Sequence, residues 1–175
     1  MCGMLTVVLE CRDHETELAH TLSGLVPAAV DGLVSDVVVL DLGSSDGSAR
    51  VAEAAGCRFH SEWRLEDILS TVRGEWLLIL EAGARPQPGW IEEVGEYVAV
   101  QDRAASFSPA RHHRRPLLRR IMSRTPPLEL GLLLPKRQAL SVVRPGQGLS
   151  ALWSGVKPAR LRSELLPARA LRSVA

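Results

Sequence analysis

The stretch VVVLDLGSSDGS at residues 37–48 combines a strand, a turn and the start of a helix. Its unbroken apolar run, residues 37–40, predicts a strand buried on both faces that ends at Asp41. The Ser, Asp and Gly residues that follow are typical of a tight turn, and the small residues of 48–55 predict a helix that ends at Gly56. A carboxylate at a strand end can accept hydrogen bonds, while the turn presents backbone N–H groups.

The first hundred residues alternate between strand and helix patterns on both sides of this stretch. Apolar runs at residues 5–9 and 76–80 predict two further buried strands, and leucines at helical spacing between them predict a helix that Pro27 ends. A short strand at 57–60 and helices at 65–72 and from residue 88 complete this half. Apolar strands separated by helices indicate one α/β domain, with a mostly parallel sheet covered by helices on both faces.

Ligands in such sheets bind beyond the carboxyl ends of the strands. Loops 10–15, 41–47 and 81–90 are therefore predicted to lie together, and we call them the rim. Beyond residue 103 the pattern is weaker; it predicts a basic helix at 111–124, a strand at 129–134, a helix at 136–142 and a last strand at 161–166.

The charge is divided unevenly along the 175 residues, a length that suits one domain. Residues 1–102 carry 6 Arg against 18 Asp and Glu, whereas residues 103–175 carry 15 Arg and Lys against 2 Glu. The basic half could bind phosphates, contact an anionic membrane through segment 111–124, or complement the acidic half. With only 4% aromatic residues, a stacking platform for single-stranded nucleic acid is not expected.

Targeting and ligand signals are missing from the sequence as a whole. The three cysteines have no metal-ligand spacing, and no apolar run approaches the roughly 20 residues of a spanning helix. The amino terminus does not have the pattern of a signal peptide, so a cytoplasmic protein is expected. No GxGxxG or GxxxxGK[ST] motif occurs, which argues against a dinucleotide-binding domain and a P-loop NTPase.

Three motifs together resemble family 2 glycosyltransferases of the GT-A fold. They are LTVVLECRDHE at residues 5–15, VVVLDLGSSDGSARVAEAAG at 37–56 and RGEWLLILEAGARPQPGW at 73–90. They are similar to the family's V-I-P-x-x-N-E, V-D-D-G-S-x-D-G-T and G-x-x-L-x-L-D-A-D-x-x-x-x-P-x-W patterns, in the same order. Later, GLLLPKRQAL at 131–140 is similar to the acceptor-side stretch of that family.

The resemblance implies transfer of a sugar from a nucleotide-sugar donor, linked to UDP or GDP, to an unknown acceptor. Glu81 would take the first acidic place of the family's DxD motif and hold Mg²⁺ or Mn²⁺, which prefer oxygen ligands. The residues implied to bind the nucleotide-sugar are Glu10, Cys11, Asp13, Asp41, Ser44 and Asp46.

The sequence departs from the family at three functional places. Leu42 replaces the second acid of the D-D-G-S element, Gly83 replaces the second acid of DxD, and residues 149–157 carry no carboxylate to serve as catalytic base. One hypothesis is therefore a metal-independent transferase in which Arg85 replaces the cation at the diphosphate. The group Arg114, Arg115, Lys136 and Arg137 could serve instead. The alternative is a GT-A protein without catalysis that binds a nucleotide, a partner protein or an anionic surface.

Overall fold

The computed structural model describes residues 4–111 and 128–172, which form one mixed sheet with helices on both faces. Strands are β1 (Leu5–Cys11), β2 (Val34–Asp41), β3 (Arg58–His60), β4 (Trp76–Glu81), β5 (Arg85–Pro86), β6 (Ala105–Pro109), β7 (Leu132–Pro135) and β8 (Ala159–Leu166). Helices are α1 (Glu15–Val30), α2 (Ser48–Ala54), α3 (Leu65–Thr71), α4 (Trp90–Val100), α5 (Lys136–Val142), a 3₁₀ helix (Leu149–Trp153) and α6 (Arg169–Arg172).

The strand order is β3-β2-β1-β4-β7-β6-β8-β5. Strands β3, β2, β1 and β4 are parallel to one another, and Leu9 of β1 lies level with Val39 of β2 and Leu80 of β4. Strand β7 then runs antiparallel to β4 and to β6, β8 runs parallel to β6, and β5 pairs antiparallel with β8. The carboxyl ends of β1, β2 and β4 therefore lie along one edge, as the sequence predicts for the rim.

Side chains alternate between the two faces of the sheet and form two cores. The first core packs β-strand residues such as Val7 and Leu78 against α1, α2 and α4. The second packs Val8 and Ile79 against α3, α5 and the 3₁₀ helix. Because Val7, Val8, Leu78 and Ile79 are fully buried, the central strands are apolar on both faces, as their sequences indicate.

Helix α1 continues past Pro27, so the prediction that this proline ends the helix is wrong. A proline interrupts a helix through its missing N–H and its ring. Here it lies within the last turn, where burial of Leu25 and Ala28 favours continuation. The carbonyl of Pro27 still accepts the N–H of Asp31 at 2.9 Å, and the carbonyl of Ala28 accepts that of Leu33 at 3.0 Å.

The predicted strand at 129–134 is shifted, since residues 128–130 form a turn and β7 begins at Leu132. Strands β5 and β6 have no counterpart among the predictions because they are short and lack an apolar run. Residues 112–124 of the predicted basic helix lie outside the described residues, and with them the proposed membrane contact. No helix in the described ranges is long and apolar enough to cross a membrane.

Candidate functional site

Hydrogen bonds join the first two loops of the rim. The backbone N–H of Asp13 donates to Oγ of Ser44 at 2.9 Å, and the N–H of His14 donates to Oγ of Ser48 at 3.2 Å. Arg12 Nε donates to the carbonyl of Leu42 at 2.8 Å. The loops after β1 and β2 therefore form one hydrogen-bonded unit at the carboxyl edge.

Asp41 organises the turn that follows β2. Its carboxylate accepts the Oγ of Ser44 at 2.5 Å and the backbone N–H groups of Gly43 and Ser44 at 3.1–3.2 Å. Burial acts to raise the pKa of Asp41, but the hydrogen bonds from Ser44 and Gly43 outweigh it and hold the pKa below its usual value. The side chain is therefore a buried carboxylate whose acceptor sites largely serve its own turn.

Cys11 lies beside Asp41 in the β1–β2 register, with its Sγ 3.7 Å from Oδ1 of Asp41. Burial, with the neighbouring Asp41 charge, raises the pKa of the Cys11 thiol to about 11. A thiol with this pKa is protonated at neutral pH and is a poor nucleophile. It is a buried packing residue with a weak S–H donor.

Asp13 has a positive φ of 51°, a conformation that Asp tolerates better than most residues. Its Oδ1 accepts the N–H of Ser45 at 2.7 Å and the Oγ of Ser45 at 3.1 Å. The carboxylate therefore fixes one loop of the rim against the other.

Asp46 and Glu15 connect the starts of α2 and α1. Asp46 accepts the N–H of Glu15 at 2.9 Å through Oδ2 and the N–H of Ser48 at 3.0 Å through Oδ1. Glu15 returns the contact by accepting the N–H of Gly47 at 3.1 Å. The hydrogen bonds, chiefly from Ser48, hold the pKa of Asp46 below its usual value.

Glu10 and Glu81 are level with each other at the ends of β1 and β4. Their side chains share the face of Val8 and Ile79, whereas Asp41 and Cys11 point to the opposite face, because side chains alternate along a strand. Both carboxylates are partly exposed. The Oε1 of Glu10 accepts the N–H of Leu149, the first residue of the 3₁₀ helix, at 2.9 Å.

Thr21 and Gly83 shape the turn after Glu81. The buried Thr21 Oγ1 accepts the N–H of Gly83 at 2.7 Å and donates to the carbonyl of Ala84 at 2.9 Å. Gly83 has φ +102°, and a Cβ there would stand 3.2 Å from the Cβ atoms of Ala168 and Glu17. Both the backbone conformation and the nearby side chains therefore disfavour a second carboxylate at this position.

The chain's own residues do not fit the two-carboxylate cation site that the resemblance implies. Glu81 contributes one carboxylate, and position 83 has no side chain. Within residues 4–111 and 128–172 no three His, Cys, Asp or Glu side chains are grouped as a metal site would require.

Arg85 begins β5, four residues after Glu81. Its Nε is buried without a hydrogen-bond partner among the described residues. Lys136 and Arg137 lie at the other edge of the sheet, since Pro135 is level with Trp76 at the start of β4. The prediction that Lys136 and Arg137 act at the rim is therefore wrong. Arg114 and Arg115 lie outside the described residues.

Three residues that form hydrogen bonds to the loops of the rim were not predicted from the sequence. Glu15 and Thr21 hold the loops, as described above, and Trp63 Nε1 donates to the carbonyl of Asp41 at 2.9 Å. Glu15 had a signal, because an acid in the first turn of a helix is a common capping feature. Thr21 and Trp63 had none, because their partners are distant in sequence.

Comparison with solved structures finds similar folds. The crystal structure of a mycobacterial protein has a TM-score of 0.62 and 25% identity over 85% of this chain and 59% of its own. Glucosyl-3-phosphoglycerate synthase of Mycobacterium tuberculosis has a TM-score of 0.61 and 22% identity over 85% of this chain and 63% of its own. The same synthase with Mn²⁺, UDP-glucose and phosphoglyceric acid has a TM-score of 0.63 and 20% identity over 97% of this chain and 74% of its own.

Comparison with protein-family models gives no match, and neither does comparison with curated proteins. The chain spans 59% and 63% of the length of the first two solved structures. These likenesses confirm the predicted fold class, an α/β GT-A fold. The roles of Glu10, Cys11, Asp13, Asp41, Ser44, Asp46, Glu81 and Arg85 toward a ligand stay predictions.

Proposed function

We propose that this protein transfers a sugar from a nucleotide-sugar donor to an acceptor hydroxyl and does so without a divalent cation. The observation that carries the proposal is the set of acidic strand ends, Glu10, Asp41 and Glu81, at the carboxyl edge of a GT-A sheet. Ligands of open α/β sheets bind at this edge. The solved structures of similar fold include one bound to UDP-glucose, which supports UDP as the first nucleotide to test.

Arg85 would take over the charge of the missing cation. Glycosyl transfer releases a nucleoside diphosphate, so negative charge develops on its phosphates in the transition state and must be stabilised. The Nε of Arg85 is a buried donor without a partner among the described residues, close in sequence to Glu81. A guanidinium binds phosphate oxygens through parallel N–H donors, which suits this role.

A second candidate function is favoured by the hydrogen bonds of the rim. The carboxylates of Asp13, Asp41 and Asp46 all accept N–H groups from the loops of the rim, which favours a role in holding these loops in place. A rim of this kind suits a GT-A protein that binds a nucleotide, a partner or an anionic surface without catalysis. Binding without turnover distinguishes this candidate from the first.

Calorimetric titration with UDP, GDP, UDP-glucose and a GDP-sugar, each with and without Mn²⁺, tests the donor. We expect micromolar binding of a UDP compound that Mn²⁺ leaves unchanged. Asp41→Ala should weaken it at least tenfold because the turn after β2 loses its organising acceptor. Asp31→Ala, at an exposed position beyond α1, is the matched control and should bind normally.

Release of UDP from UDP-glucose tests catalysis, first with water and then with phosphoglyceric acid as acceptor. Arg85→Ala should lower the rate about 100-fold or more, the usual loss for a transition-state donor. The exposed Arg144→Ala is the control. Binding of UDP with no turnover would favour the second candidate, whereas turnover that requires Mn²⁺ would contradict metal independence.

A further inference from the structure

Glu10 reaches from the end of β1 to a segment that lies far along the chain. Its Oε1 accepts the N–H of Leu149 at 2.9 Å and stands 3.2 Å from the point that a Cβ on Gly148 would occupy. A carboxylate therefore lies against residues 148–149, although residues 149–157 contain none of their own.

Glu10 also stands beside Glu81. The two residues are level on neighbouring parallel strands, so their Cα atoms are about 4.8 Å apart, and both side chains lie on the face of the second core. The Glu10 carboxylate is thus positioned beside Glu81 and against the start of the 3₁₀ helix.

Three other carboxylates of the rim, those of Asp41, Asp46 and Glu15, have both oxygens engaged. Asp46 and Asp41 accept N–H groups at both oxygens, and Glu15 accepts Gly47 N at one oxygen and Arg50 at the other. Within the described residues, the hydrogen bond from Leu149 reaches Oε1 of Glu10 and leaves Oε2 for another partner. The Glu10 carboxylate is therefore fixed by Leu149 through Oε1, and its Oε2 is available to accept a proton.

The carboxylates of the basic half do not provide this group. Glu129 is buried with its Oε1 2.6 Å from Arg169 Nε, and Glu164 Oε1 lies 3.4 Å from Arg111 Nε. These two are the acids of residues 103–175. Both are held in ion pairs with arginines of their own surroundings.

We propose that Glu10 is the catalytic base of the transfer, an inference that rests on the proposed function. The acceptor oxygen attacks the anomeric carbon and its proton passes to Oε2 of Glu10. The bond from the anomeric carbon to the phosphate oxygen breaks, and its electron pair leaves with the nucleoside diphosphate. A single displacement of this kind inverts the anomeric configuration.

The hydrogen bond from Leu149 allows one variant of Glu10 to separate a catalytic role from a structural one. Glu10→Gln keeps an amide oxygen for the N–H of Leu149 but cannot accept the proton. A residue that only holds the 3₁₀ helix would tolerate this change, whereas a base would not. A base contributes about 10²–10⁴-fold to the rate. We therefore expect UDP release from UDP-glucose in water to fall at least 100-fold, with thermal stability and UDP affinity within twofold of the wild type.

A carboxylate can also be introduced beside residue 10 by substituting Gly148. Its φ is −93°, so any residue can adopt the conformation, and a side chain there points at the Glu10 carboxylate. In the double variant Glu10→Gln/Gly148→Asp the carboxyl group returns from the opposite element. We expect at least tenfold recovery of the rate over Glu10→Gln, and Gly148→Asn in the same background serves as the uncharged control.

The outcomes separate this inference from the proposed function. Wild-type turnover in Glu10→Gln would overturn the base and leave the transferase proposal intact. A loss of UDP affinity that accounts for the fall in rate would also overturn it, since Glu10 would then be a nucleoside ligand. A wild-type protein that binds UDP and never releases it from UDP-glucose, with any acceptor, would overturn both.

Discussion

Asp46 and Glu15 each accept a hydrogen bond from the backbone next to the other. Oδ2 of Asp46 accepts the N–H of Glu15 at 2.9 Å, and Oε2 of Glu15 accepts the N–H of Gly47 at 3.1 Å. Helices α1 and α2 therefore begin on a shared pair of carboxylates. The charge of each also favours the positive end of a helix dipole.

The Asp46–Glu15 pair should make the stability of the protein depend on pH. The pKa of Asp46 is lower in the folded protein than its unfolded value of about 3.9, so its stabilisation is present above that pH and is lost as the pH falls below it. In Asp46→Asn the thermal midpoint should be lower at pH 7 and fall less on acidification. Thermal unfolding followed by circular dichroism from pH 7 to pH 3 measures both. Parallel curves for the two proteins would contradict the role of the charge.

Thr21 is expected to determine the conformation of the turn after Glu81. Thr21→Val keeps the shape but removes the hydroxyl that accepts Gly83 N and donates to Ala84 O. Leaving these buried groups without partners should lower the free energy of unfolding by about 2 kcal/mol. Urea unfolding measures this, and Thr21→Ser, which keeps the hydroxyl, is the control. A smaller loss in Thr21→Val than in Thr21→Ser would show that the methyl group, not the hydroxyl, carries the effect.

Gly83 should resist every side chain. Gly83→Ala should cost more than the roughly 1–2 kcal/mol of a left-handed conformation, because its Cβ also meets Ala168 and Glu17 at 3.2 Å. Gly32→Ala is the matched control, since Gly32 has φ +77° and nothing within 4 Å of its added Cβ. The difference in unfolding free energy between the two variants measures the crowding. Equal losses would mean that α1 and the segment around Ala168 give way freely.

The Cys11 thiol should react slowly in the folded protein. With a pKa of about 11, roughly one thiol in 10⁴ is ionised at pH 7, and the ionised form is the nucleophile. Iodoacetamide labelling followed by peptide mass spectrometry should leave Cys11 unmodified until urea is added. Cys57, whose pKa burial also raises to about 11, should behave in the same way. Labelling of Cys11 at the same rate with and without urea would contradict its burial.

The parallel half of the fold, and the edge at which its loops meet, could be predicted from the sequence. Long apolar runs at β1, β2 and β4 report burial on both faces, and carboxylates at their ends mark the rim. The antiparallel half was harder, since β5 and β6 are short and stabilised by pairing with β8. Pairing between distant segments leaves no periodicity in either one.

The sequence predicted which residues lie at the candidate site better than it predicted the contacts between them. Asp13, Asp41 and Asp46 lie at the rim, but local sequence could not reveal that each organises backbone there. The contact between Glu10 and Leu149 joins residues from opposite ends of the chain. Only the fold brings them together, so no local pattern in the sequence could indicate this contact.

The glycine conformation after Glu81 also constrains how this sequence can evolve. A carboxylate at position 83 fits only if the neighbours at positions 17 and 168 withdraw and the turn held by Thr21 changes its backbone. Single point mutations toward such a variant would each pass through a less stable protein. Natural variation among descendants of this chain should therefore keep Gly83, and new chemistry at the rim should arise on the strands or on the 3₁₀ helix instead.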